Sequence, residues 1–115
     1  MIAVIFEVWI NPDHKQDYLA QASKLRALLE GIDGFISVER FQSLIEPDKI
    51  LSLSLFRDEE AVKNWRNTIE HREAQALGRN GYFLDYKLRI TRVLRDYGMD
   101  DREQAPADSK QAHAD

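Results

Sequence analysis

In the segment NWRNTIEHREAQALG (residues 64–78), Trp65 and His71 stand six positions apart. Tryptophan gives a flat, amphipathic wall against which a ring can lie. Histidine is the side chain whose proton comes off near neutral pH. Together they suit a pocket for an aromatic molecule with an acidic hydroxyl. On one unbroken helix, however, six residues amount to roughly 240° past a full turn, which leaves the two side chains about 120° apart. The segment itself suggests a break. Asn67, followed three residues later by Glu70, has the asparagine version of a capping-box spacing, and Asn-Thr disfavours a helix interior. One helix from about Glu59 to Arg66, a kink, and a second short helix from about Thr68 to Leu77 would put His71 in a first turn. Both side chains can then turn toward one space between helix and sheet.

The elements that must position them are legible in outline. IAVIFEVWI (residues 2–10) is rich in β-branched and aromatic residues and predicts a strand. Asn11 can cap, Pro12 suits a first helical position, and Asp13 complements the dipole. Tyr18, Ala22, Leu25 and Leu29 then form the stripe of an amphipathic helix of about five turns, which Gly31 and Gly34 close. FISVERFQSL (35–44) and KILSLSLFRD (49–58) alternate as strands around a turn at EPD. Asp58 caps the next helix. YFLDYKLRITRVLRDY (82–97) closes the fold as a long strand with Leu84, Tyr86, Leu88 and Ile90 on one face. The order β-α-β-β-α-β predicts an α+β, ferredoxin-like split β-α-β fold with a four-stranded antiparallel sheet and both helices on one side. Residues 1–97 form the domain. The polar tail 98–115, with Met99 its one large apolar residue, is expected to be disordered or to dock as an arm.

Composition narrows the function classes. With 115 residues, 43% hydrophobic and 31% charged, the chain reads as a single globular domain. There is no cysteine, which excludes disulfides and thiolate metal sites. A net charge of −4 with mixed signs argues against nucleic acid as the main partner. The N-terminal run lacks a basic start, carries Glu7, and ends after about ten residues, so it reads as neither signal peptide nor membrane span. A cytoplasmic protein without a membrane partner is expected.

The first strand would be apolar on both faces, with Ile2, Val4, Phe6, Val8 and Ile10 on one side and Ala3, Ile5 and Trp9 with Glu7 on the other. The second repeats this, with Ile36 and Val38 set against Phe35 and Phe41. A sheet with helices on one side should be polar on the other, and soluble monomers avoid a large exposed apolar patch. A homodimer packed through the sheet faces is the expected cover.

With this strand order, GFISVERFQS, and LSLSLFRDEEAVKNWRNTIEHREAQ, the chain resembles antibiotic biosynthesis monooxygenase domains of the dimeric α/β-barrel superfamily over roughly residues 1–95. The resemblance implies a dimeric α/β barrel and, in each subunit, a pocket between the sheet and the second helical segment. Trp65 and His71 match positions that line it, and Glu7 or Trp9 is the first-strand candidate. It also implies a reaction. A cofactor-independent oxygenase needs an electron-rich phenol or quinol, a base to remove its proton, and a site dry enough to protect what forms with oxygen. His71 is the candidate base; Trp65, Tyr82 and Tyr86 are candidate walls. Glu7 has a second reading, an ion pair with Arg89 or Lys87. The haem-degrading branch carries a first-strand asparagine and a histidine ten residues after its tryptophan. Here no asparagine precedes Asn11 and position 75 is Gln75, so haem is disfavoured and no cofactor is expected. A non-catalytic dimeric binding or stress-response module is the remaining alternative.

Overall fold

The computed structural model describes residues 1–68 and 81–112. Four strands, β1 (Ile2–Ile10), β2 (Phe35–Gln42), β3 (Lys49–Phe56) and β4 (Phe83–Arg92), form one antiparallel sheet in the order β2-β3-β1-β4. This is the ferredoxin-like α+β arrangement. Helices α1 (Lys15–Leu29) and α2 (Glu59–Arg66) pack on one face, and a short α3 (Ala107–Ala112) follows β4.

The helix starts are set by their caps. Asn11 Oδ1 accepts the Asp13 amide at 3.1 Å, but it caps a 3-10 turn, Pro12–His14, and α1 begins after it. Proline at the first position fits the tight turn, and α1 is a turn shorter than expected. Asp58 Oδ1 accepts the Ala61 amide at 3.0 Å and starts α2 where its sequence suggests. At the far end α2 stops at Arg66. Asn67 Nδ2 donates to the Lys63 carbonyl at 2.9 Å, closing the helix behind it. The second helix expected over Thr68 to Leu77 falls almost entirely on 69–80, outside the described residues. Gly34 sits at φ +89°, and a Cβ there would meet the Ala61 Cβ at 2.8 Å. Only glycine lets β2 begin so close to α2.

Register decides the two faces. Val4, Phe6 and Val8 stand beside Ser54, Ser52 and Ile50 of β3 and beside Ile90, Leu88 and Tyr86 of β4. That face carries two small cores. One is built on Ile2, Val4, Leu29, Val38, Phe56, Ala61 and Val62, the other on Val8, Ile10, Tyr18, Ala22 and Ile50. Two register shifts correct the simple alternation. The shift between Phe35 and Ser37 brings Phe35 opposite Phe56, so it joins the helix side while Phe41 stays on the far side with Leu51. The shift at Trp9/Ile10 turns Phe83 inward in place of Leu84, which is 67% exposed. An extra residue in one strand re-aims the side chains beyond it.

The far face carries Ile5, Leu51, Leu53, Leu55 and Phe41, half-buried or exposed. The leucines of β3 thus point away from the helices and its serines toward them. The β2–β3 turn is tightly made. Gln42 Nε2 reaches four turn carbonyls, the nearest Pro47 O at 2.9 Å, and Ser43 Oγ accepts the amides of Ile45 and Glu46. After β4 the tail has local structure through residue 112. Gly98 N donates to Asp101 O, Arg102 donates to the carbonyls of Gly98 and Ser109, and Ala105 is buried.

Candidate active site

Between the two cores, sheet and helices do not meet. A partly open cavity of about 200 Å³ lies between them. Its floor is Val4 and Phe6 of β1, Val38 and Arg40 of β2, Ser52 and Ser54 of β3, and the inward side chains of β4. The serines help make the space, because a leucine at either position would project into it. Tyr18, Ala22 and Leu25 of α1 and Val62, Trp65 and Arg66 of α2 form the roof.

Three expected pocket residues come together here. Trp65 lies on the last turn of α2 and packs its ring on Phe56 with centroids 5.7 Å apart. Tyr82 is placed by the loop before α1: Asn11 N donates to Tyr82 O at 2.9 Å, and Asn11 Nδ2 donates to Gly81 O at 3.1 Å. Its ring stacks on His14, centroids 5.2 Å apart. Tyr86 lies opposite Val8 and contacts Phe6 and Phe83 at 5.7 and 6.4 Å. The wall is therefore ring-rich, with Phe6, Tyr18, Trp65, Tyr82, Phe83 and Tyr86. His71 lies outside the described residues.

Glu7 and Trp9 are placed elsewhere. β1 alternates without interruption up to Trp9, so both share the far face with Ile5, and β1 supplies Val4 and Phe6 to the cavity instead. Glu7 accepts from Arg89 Nη1 at 2.9 Å and lies 3.5 Å from Lys49 Nζ. The Arg89 hydrogen bond holds its carboxyl below the usual range, with burial opposing and Lys49 assisting. Lys49 also sits 4.7 Å over the Trp9 ring, whose Nε1 donates to Glu46 at 3.3 Å. These residues bind the sheet end together.

Two wall residues were not singled out from the sequence. Tyr18 belongs to the apolar stripe of α1, and burial raises its hydroxyl above the ordinary phenol value, with Arg40 pulling the other way. Arg40 shares a face with Val38 two residues before it. Alternation in β2 would have pointed it under the helices.

Comparison with known proteins adds to this geometry. The family model described as "Antibiotic biosynthesis monooxygenase" matches residues 1–77. A protein of Pyricularia oryzae named "Jasmonate monooxygenase ABM" is 47% identical over 93 residues, 81% of this chain. The matched region is 43% of that relative, so the chain spans less than half its length. A solved structure from Mycobacterium tuberculosis superposes with a TM-score of 0.76 at 15% identity, covering 84% of this chain and 98% of the other. One from Methanosarcina mazei gives 0.73 at 19%, covering 79% and 90%. At such low identities these two structures speak for the fold alone.

Proposed function

This chain belongs to the antibiotic biosynthesis monooxygenase family, and we propose that it is a monooxygenase that oxidises a small aromatic, phenol- or quinol-type substrate without metal or flavin. The observation that carries this reading is the ring-lined cavity between sheet and second helix, with Trp65 in its roof. Such a wall holds a flat substrate by stacking and excludes water from what forms.

The steps follow from the substrate's own electrons. His71, acting as general base, takes the hydroxyl proton. The phenolate passes one electron to dioxygen, and the resulting radical pair joins into a peroxide at a ring carbon that carries hydrogen, para to the oxygen in a phenol and ortho to it in a para-quinol. Loss of water, whose hydrogens come from the hydroxyl and the ring C–H, leaves the quinone. One oxygen atom enters the product and one leaves as water, so no outside reductant is needed.

Oxygen uptake with a panel of phenols and quinols tests this. The expected result is one dioxygen consumed per substrate and one ¹⁸O atom in the quinone from ¹⁸O₂. Uptake no faster than in buffer across the panel, or a quinone free of label, would overturn it. Jasmonate, the compound in the relative's name, is the second candidate ligand and is assayed beside the panel.

The active form in this reading is a cytoplasmic homodimer closed into an α/β barrel. Its support is the far sheet face, where Ile5, Leu51, Leu53, Leu55 and Phe41 form an apolar strip. Light scattering at micromolar concentration should give about twice 13.4 kDa. Leu53→Arg, which places a charge in the middle of the strip opposite Ile5, should give the single-chain mass. A wild-type chain that scatters as a monomer defeats the dimer.

A further inference from the structure

Arg40 enters the cavity from β2, opposite Ser52 of β3. Its Nε is buried and has no hydrogen-bond partner among the described residues. The cationic sides of the ion pairs among the described residues are His14, Lys49, Arg57 and Arg89. Arg40 is absent from that set, although Glu39 and Glu46 lie close to it in sequence. Its polar neighbours are Ser52 and Tyr18, the latter buried on α1 and within hydrogen-bonding reach of the guanidinium. Most of the remaining wall is carbon.

A guanidinium at the edge of an apolar space that meets no carboxylate among the described residues has given up part of its hydration without gaining a counter-charge. Its planar fork of donors matches a carboxylate, which can take two parallel hydrogen bonds from it. Gln21 and Arg66 also line the wall, from the helix side. We infer that Arg40, with the Tyr18 hydroxyl as a second donor, anchors a carboxylate on the substrate, so that the molecule oxidised is an aromatic acid held by its charged end with its ring among Trp65, Phe6 and Tyr86. This rests on the cavity being the substrate site and adds the chemical class it selects.

The test is binding to the intact protein, read from quenching of Trp65 fluorescence in a Trp9→Phe background. The probes are 2-naphthoate and its neutral isostere 2-naphthamide. The naphthoate should bind more tightly, and Arg40→Gln should weaken it about 10- to 100-fold, the worth of a hydrogen bond to a charged group. The naphthamide should change less than about twofold in the same variant, against this 10- to 100-fold loss. Arg40→Lys keeps the charge but loses the fork, and should fall between. Equal binding of the two probes to the wild type overturns the anchor and leaves the cavity as the ligand site. Equal weakening of both probes by Arg40→Gln does the same. Binding of neither probe removes both the anchor and the cavity reading.

Discussion

Phe56→Ala should lower stability by about 3 to 5 kcal/mol, the largest loss expected from a core truncation among the described residues. Phe56 is 0% exposed, and its ring lies 5.8 Å from Phe35 and 5.7 Å from Trp65. It also stands opposite Ile2 of β1 and Phe35 of β2. One side chain therefore ties two neighbouring strands and α2 together. Lost burial by itself would cost about 1.5 to 3 kcal/mol. The rest comes from the hole left where three rings met, since the backbone of a paired strand cannot collapse into it. For a chain of this size the loss corresponds to a fall in melting temperature of roughly 10 to 25 °C, followed by circular dichroism. A loss below about 1 kcal/mol would mean that α2 is held by something other than this cluster. The variant should also bind substrate poorly even where it folds, because Trp65 loses the surface that sets its ring.

His71→Ala should reduce turnover of a quinol by about 10²- to 10⁴-fold, the usual worth of a positioned general base. Melting should hardly change. His71 follows Trp65 by six residues, and α2 ends at Arg66, so the two need not obey the geometry of one helix. The wild-type rate should rise with pH as the neutral base forms. The variant should lose that inflection, and added imidazole should restore part of the rate. A variant with full activity and the same pH profile would show that the proton goes elsewhere. The buried Tyr18 hydroxyl would be the next group to examine.

Much of this fold is written in short-range chemistry. β1 and α2 run over the residues the sequence suggests, because Asn11-Pro12 ends one and Asp58 starts the other. β2 ends two residues short of Leu44, where its alternation predicts the end, because Ser43 turns the chain through its own hydroxyl. The site was less legible. Trp65, Tyr82 and Tyr86 reach the cavity as their sequence positions suggest, but Glu7 and Trp9 do not. Which face of β1 looks at the helices depends on packing and not on β1 itself, since both faces are apolar. The two register shifts, which bring Phe35 and Phe83 inward, are invisible to alternation. Arg40 escaped notice because a charged residue on an edge strand usually points to solvent.

The outward leucines of β3 bear on how the chain finds its pairing. Ordinarily burial proofreads a strand: a slip by one residue turns its apolar side chains to water, and the error costs too much to persist. In β3 the same slip would bring Leu51, Leu53 and Leu55 under the helices with Lys49 and send Ser52 and Ser54 out with Ile50 and Phe56, so in a lone chain burial separates the two registers less sharply than usual. A local device that knows nothing of the core then helps to set the pairing before collapse. The β2–β3 turn is built as one, with the Gln42 amide gripping its carbonyls and Ser43 holding its amides. A hairpin of this kind closes in about 1 to 10 μs, ahead of the long-range pairing of β1 with β4. In this chain an exposed glutamine and a half-buried serine share, during folding, a decision that buried side chains usually make alone.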